Sequence, residues 1–153
     1  MAQNKTQKRE SSSLEAQVFV ALLRAAERLG QDAEQLIKEN SLTGTQYNVL
    51  RILRGAEPEG LACKGIADRM ISHDPDMTRL LDRMEKRALI TRERQTEDRR
   101  VIKTRITPQG LELLKKLDSP VLDLHKRQFR NISAAALKAL AGTLGEICPP
   151  STE

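Results

Sequence analysis

Three basic side chains recur at helical spacing near the middle of the chain: Arg79, Arg83 and Lys86. They fall on one side of a helix whose other side carries Met77, Leu80, Leu81 and Met84 at i, i+3, i+4 and i+7. One face can pack while the other stays cationic. Such groups on a rigid helix can pair with phosphate oxygens and release condensed counterions, and arginine can also bond bidentately to guanine in a major groove. From position 79 to 105, ten basic residues (Arg79, Arg83, Lys86, Arg87, Arg92, Arg94, Arg99, Arg100, Lys103, Arg105) stand against five acidic ones (Asp82, Glu85, Glu93, Glu97, Asp98). That local excess equals the net charge of the whole chain, +5.

Other chemistries find little support. Cys63 and Cys148 are too few and too far apart for a disulfide framework or a zinc cluster. His73 and His125 belong to no metal-binding motif, and no nucleophile triad, paired-carboxylate site or glycine-rich phosphate loop is present. The expectation is a protein that is not an enzyme and holds neither metal nor cofactor. Cys63 is expected to fill an apolar packing position, and Cys148, near the C-terminus, to be more exposed and incidental. The N-terminal segment is polar and no eighteen consecutive residues are apolar, so the chain is expected to be cytoplasmic, with no membrane partner.

The elements that must hold the basic groups follow from patterning. Aromatic residues make up 2% of the 153 positions, so aliphatic helix packing must supply most of the core. Residues 1–13 read as a disordered arm. A helix runs from Leu14 to Lys38 with a wide apolar stripe, and Asn40 is expected as its left-handed terminator. Thr43 and Gln46 form a capping-box pattern, with Leu42 stapled on Tyr47, for a second helix to about Arg54. After a turn from Gly55 to Gly60, Leu61 can form a sheet bridge, and a short third helix carries Ile66, Ala67 and Met70 to about Ile71. Asp74 as N-cap with Pro75 in the first turn predicts the start of the fourth helix. Leu89–Arg94 and Val101–Thr107 predict a β-hairpin around a polar loop. Thr107 and Pro108 open a fifth helix that Ser119-Pro120 is expected to kink, and Ser133 caps a sixth. The fold class is mainly α with a small β-hairpin: three short helices and a hairpin make a winged helix-turn-helix, whose post-turn helix enters the major groove.

The segments I-A-D-R-M, D-P-D-M-T-R-L-L-D-R-M-E-K-R-A-L-I and T-E-D-R-R-V-I-K-T-R-I-T-P-Q-G, with L-T-G-T-Q-Y-N-V-L-R-I-L before them, resemble the multiple antibiotic resistance regulator (MarR) family over residues 42–115. The resemblance implies a ligand-responsive repressor that binds palindromic double-stranded DNA as a homodimer, with a small-molecule effector. It implies one domain over 14–153, in which 42–107 is the DNA-binding lobe and 14–40 and 108–148 are dimerisation helices. The outer helices agree, because their apolar stripes are wider than one small lobe could cover. By position, Asp76, Thr78 and Arg79 would face bases, Arg83 and Lys86 would meet phosphate or the deeper groove, and Arg99 and Arg100 would contact DNA from the hairpin, Arg100 in the minor groove. Asp98 would brace Arg100. The other function these residues allow is a dimeric winged-helix module for protein partners. Three positions depart from the family pattern: Ala88 stands where glycine would suit a left-handed helix end, Ala62 replaces a capping side chain, and Gly65 weakens the third helix.

Overall fold

Side-chain caps fix where the helices begin. In a computed structural model that describes residues 13–95 and 100–149, Ser13 Oγ accepts from the Ala16 amide and starts α1 (Leu14–Glu39). Of the arm expected over residues 1–13, Ser13 alone is described, and it is this cap. The chain does not turn at Asn40, whose φ is −98°. Ser41 takes the left-handed conformation, φ 60°, one residue later. Its amide bonds Lys38 and the Leu42 amide bonds Ile37, so that buried Ile37 and Leu42 close the end hydrophobically.

Thr43 caps α2 (Gly44–Gly55) with both halves of the capping box in place. Buried Leu42 and Tyr47 share one hydrophobic cluster, as the staple reading requires. After the turn, Gly60 has φ +67°, and a Cβ there would lie 2.6 Å from the Thr104 carbonyl oxygen, so this position needs glycine. Leu61 and Ala62 form β1, antiparallel to the hairpin strand β3 (Ile102–Ile106), which also pairs with β2 (Ile90–Arg94). The sheet order is β1-β3-β2.

The third helix, α3 (Cys63–Ala67), is shorter than expected and ends well before Ile71. Ala62 offers it no side-chain cap, and the Ile71 amide is held instead by Asn48 of α2. Its core residue is Ile66. Cys63 is exposed, which corrects its expected packing role: Ile66, not Cys63, points into the lobe.

The fourth helix, α4 (Met77–Lys86), starts later than the sequence suggested, with Asp76 and not Asp74 as N-cap. Asp74 accepts from the Asp76 amide at 2.8 Å, a local turn that places the second aspartate at the helix mouth. Thr107 caps α5 (Pro108–Gln128), one continuous helix that contains Pro120. Ser133 caps α6 (Ala134–Ile147). Gly110 near the start of α5 brings that helix against the hairpin, since a Cβ there would meet the Leu89 carbonyl oxygen at 2.5 Å. The core gathers Val49, Leu50 and Leu53 of α2, Ile66, the apolar face of α4, Leu89, Ile90, Ile106, and Leu114 and Leu117 of α5. Among the described residues, no helix is long and apolar enough to cross a membrane.

Candidate nucleic-acid interface

All four apolar residues expected on the inner face of α4, Met77, Leu80, Leu81 and Met84, are buried. Burying each such side chain contributes about 1.5–3 kcal/mol, which fixes the rotation of the helix about its axis. That rotation leaves Thr78, Arg79, Arg83 and Lys86 exposed together. Among the described residues, neither Arg83 nor Lys86 has an ion-pair partner.

Asp76 turns out to have a local task. It accepts from the Arg79 amide at 3.2 Å as the helix cap, and its other oxygen lies 3.2 Å from Arg79 Nε. Both side chains are well exposed, so this ion pair is weak and easily exchanged for a phosphate or base edge.

The described acids of the segment, Asp82, Glu85 and Glu93, are occupied elsewhere. Arg92 on β2 reaches Asp82 Oδ1 and Glu85 Oε2 of α4 through Nη2, each at 2.6 Å, and Glu85 again through Nε at 2.9 Å. The hydrogen bond to Glu85, with a second to Asp82, holds the Arg92 pKa above its usual value against the opposing effect of burial. Arg105 pairs with Glu93 at 3.1 Å and donates to the Pro58 carbonyl. Arg87 leaves the reading face altogether, donating to Ser41 O at 2.7 Å and Gln46 Oε1 at 3.1 Å. So Asp82, Glu85 and Glu93 are each drawn to an arginine that is not on the outward face of α4. The outward cations keep their field.

On the hairpin, Arg94 and Arg100 are exposed and Lys103 is half-buried. Asp98 and Arg99 lie outside the described residues, and with them the expected bracing of Arg100. The sequence count treated Arg87, Arg92 and Arg105 as part of the basic patch. What could have separated Arg92 is the pair of acids three residues apart on α4, which needs a cation from a neighbouring element.

A second feature opens beside the lobe. A cleft of about 390 Å³ lies between α1, α2 and the residues that precede α4, lined in part by Ile37, Tyr47, Asn48, Arg51 and Ile71. Arg51 sits 5.9 Å from the centre of the Tyr47 ring. Burial raises the Tyr47 pKa, with Arg51 partly offsetting it. Among the described residues, no group of acidic, histidine and cysteine side chains is placed to hold a metal ion.

A three-stranded sheet whose hairpin flanks a helix with one face in the core and the other cationic defines a winged-helix DNA-binding protein. The MarR family profile matches residues 42–102. The organic hydroperoxide resistance transcriptional regulator of Bacillus subtilis (strain 168) is 30% identical over 136 residues, covering 86% of this chain and 91% of that relative. The HTH-type transcriptional regulator TtmR of Methylorubrum extorquens (strain PA1) is 32% identical over 115 residues; these cover 75% of this chain but only 58% of that longer protein. The crystal structure of a MarR transcription factor from Planctomyces limnophilus aligns with a TM-score of 0.68 at 39% identity, over 86% of this chain and 96% of that one. The chain belongs to the MarR family and is a DNA-binding transcription regulator.

Proposed function

We propose that the chain represses transcription as a homodimer on a palindromic duplex, with α4 in the major groove and the β2–β3 wing beside it. The observation that carries this reading is the division of α4 into a buried apolar face and an outward face of Thr78, Arg79, Arg83 and Lys86. Arg79, at the N-terminal end, meets base edges; Arg83 and Lys86 meet phosphate or the deeper groove; Arg99 and Arg100 contact DNA from the wing, Arg100 in the minor groove with Asp98 as its brace. Asp76 keeps a part in base reading by orienting Arg79. Residues 42–107 form the lobe that does this, and 14–40 with 108–148 form the dimer base.

The homodimer is supported by the apolar surface of that base. Among the described residues α6 buries none, and Leu14, Val18, Phe19, Leu22 and Ile147 line an open apolar groove of about 420 Å³ where α1 and α6 meet. A second copy of the chain is the occupant that two-fold symmetry supplies. Paired lobes would read half-sites about 10 base pairs apart. A small-molecule effector enters the cleft beside Tyr47 and Arg51, between base and lobe, and lowers DNA affinity by shifting the lobes.

Fluorescence anisotropy tests this on a duplex enriched by the wild-type protein from a random-sequence pool. Binding should weaken steeply as salt rises. Arg79→Ala should cost about 1–3 kcal/mol and blunt sequence preference. Unchanged affinity in both Arg79→Ala and Arg100→Ala would overturn the assigned roles, and no duplex binding at low salt would favour a protein-partner module instead.

A further inference from the structure

Arg92 stands in the most basic stretch of the chain, yet it faces away from the surface that α4 offers to DNA. Alternation along β2 puts it on the same side of the strand as buried Ile90, while Thr91 and Glu93 face out. Its side chain is 24% exposed, less than either carboxylate it binds. Those carboxylates, Asp82 and Glu85, sit one turn apart on α4 along the boundary between the apolar and cationic faces. One guanidinium therefore spans two elements with three short hydrogen bonds, two through Nη2 and one through Nε. A planar fork can do this, and the point charge of lysine cannot.

We propose that Arg92 is a positioning residue and not a DNA contact: it fastens the first wing strand to the flank of the reading helix through Asp82 and Glu85, and so sets the helix-to-wing spacing on which sequence discrimination depends. The proposal rests on the DNA-binding reading above. Its physical logic is that α4 reads the major groove and the wing contacts the flanking DNA, so both engage one duplex only if their separation is held. β2 joins α4 through Leu89 and Ile90 near its first residue. Arg92 adds a second fixed point further along the strand, toward the wing tip. β1 already holds the β3 edge of the hairpin at Thr104 and Lys103, and Arg92 ties the opposite, β2 edge to α4 at the same level. Without it that edge loses this tie to the reading helix while each half keeps its own fold.

Charge and bracing predict opposite signs for one variant, which makes the inference testable. In Asp82→Asn/Glu85→Gln, two negative charges beside the DNA face are removed, so electrostatics alone would tighten binding to every duplex. Loss of the brace should instead weaken the enriched duplex by about tenfold, the size of one misread base pair, while a scrambled duplex of equal length binds as well as before or better. Arg92→Lys provides the second variant, with net charge unchanged. It should lower the ratio of specific to scrambled affinity in the same direction, with the slope of log K against log salt unaltered, because no phosphate contact is lost. A merely structural loss would reduce both affinities together and leave that ratio alone. Tighter binding of both duplexes by the carboxylate variant, or an Arg92→Lys protein indistinguishable from wild type in specificity, would overturn the proposal. If wild-type protein enriches no sequence from the pool, the DNA-binding reading fails first, and the brace falls with it.

Discussion

Ala88 holds a backbone φ of 54°, where the Cβ of an L-residue crowds the neighbouring carbonyl. The strain has a purpose in the chain path. The Ala88 amide bonds Glu85 O at 2.8 Å and the Leu89 amide bonds Met84 O at 3.1 Å, a double closure that ends α4 and turns Leu89 and Ile90 straight into the core. Thr107 Oγ1 then donates to the Ala88 carbonyl at 2.7 Å and locks the turn against the start of α5. Ala88→Gly should therefore stabilise the protein by about 1 kcal/mol in urea unfolding, because glycine relieves the left-handed strain at an exposed position. A lower midpoint would show that the turn is not strained. This position was legible through the family resemblance, which puts glycine at the helix end where Ala88 stands. Ser41 was not, since Asn40 is the commoner left-handed residue and only the packing of Ile37 on Leu42 selects the later site. Arg92 was hidden for a related reason: a charge count registers its sign and not its partners.

At the scale of elements, the amphipathic pattern of α4 carried almost all the information needed, and its four apolar positions are the four that are buried. Its start was ambiguous because Asp74-Pro75-Asp76 offers two caps on either side of one proline. The hydrogen bond from Asp76 N to Asp74 settles it locally. The short α3 is the opposite case. Its sequence pattern ran to Met70, but Ala62 gives it no cap, and Asn48 pulls the Ile71 amide toward α2. Cys63 follows from the same shortening, since the five-residue helix presents Ile66, with Ala67 beside it, to the core and leaves Cys63 and Lys64 outside. Because the amide at the mouth of α3 lacks a side-chain acceptor, Ala62→Ser should add about 0.5–1 kcal/mol. Hydrogen exchange at Gly65 and Ile66 would report it as slower opening of that helix. Unchanged exchange at both amides would mean that β1 pairing, and not the missing cap, limits the helix.

For the molecule as a whole, the distribution of apolar surface separates what one chain can satisfy from what needs a second. The core around α2 and α4 is closed within one chain, with Val49, Leu50, Leu53, Ile66 and Met84 fully covered and Ile37, Leu114 and Leu117 of the long helices completing it. Arg54 Nη1 of α2 holds both oxygens of Asp118 on α5 at 3.0 and 2.9 Å, and Gln128 Nε2 of α5 donates to Leu29 O at 3.1 Å and Asp32 at 3.2 Å on α1. α5 also buries Leu114, Leu117 and Leu124, whereas α1 buries only Ile37 and α6 buries none among the described residues. Leu14 is 71% exposed, Phe19 62% and Ile147 59%, and the apolar stripe read from the first helix, which seemed to demand burial, finds it only at Ile37 within one chain. The stripe was legible; what covers it was not, because a periodic pattern does not distinguish an intramolecular core from a symmetric interface. If a second copy provides the cover, wild-type protein should sediment at about twice the 17.2 kDa chain mass. Phe19→Glu/Leu144→Glu, which sets four charges into the two-fold interface, should return it to the mass of one chain, while the lobe, whose core contains neither residue, keeps its near-ultraviolet circular dichroism and its affinity for a single half-site. The same variant should bind the full palindrome about 100-fold more weakly, because the second lobe no longer arrives at high effective concentration. A variant that stayed dimeric by sedimentation would place the interface elsewhere on the surface, and a monomer that bound the full palindrome as tightly as wild type would show that the two half-sites are not read together.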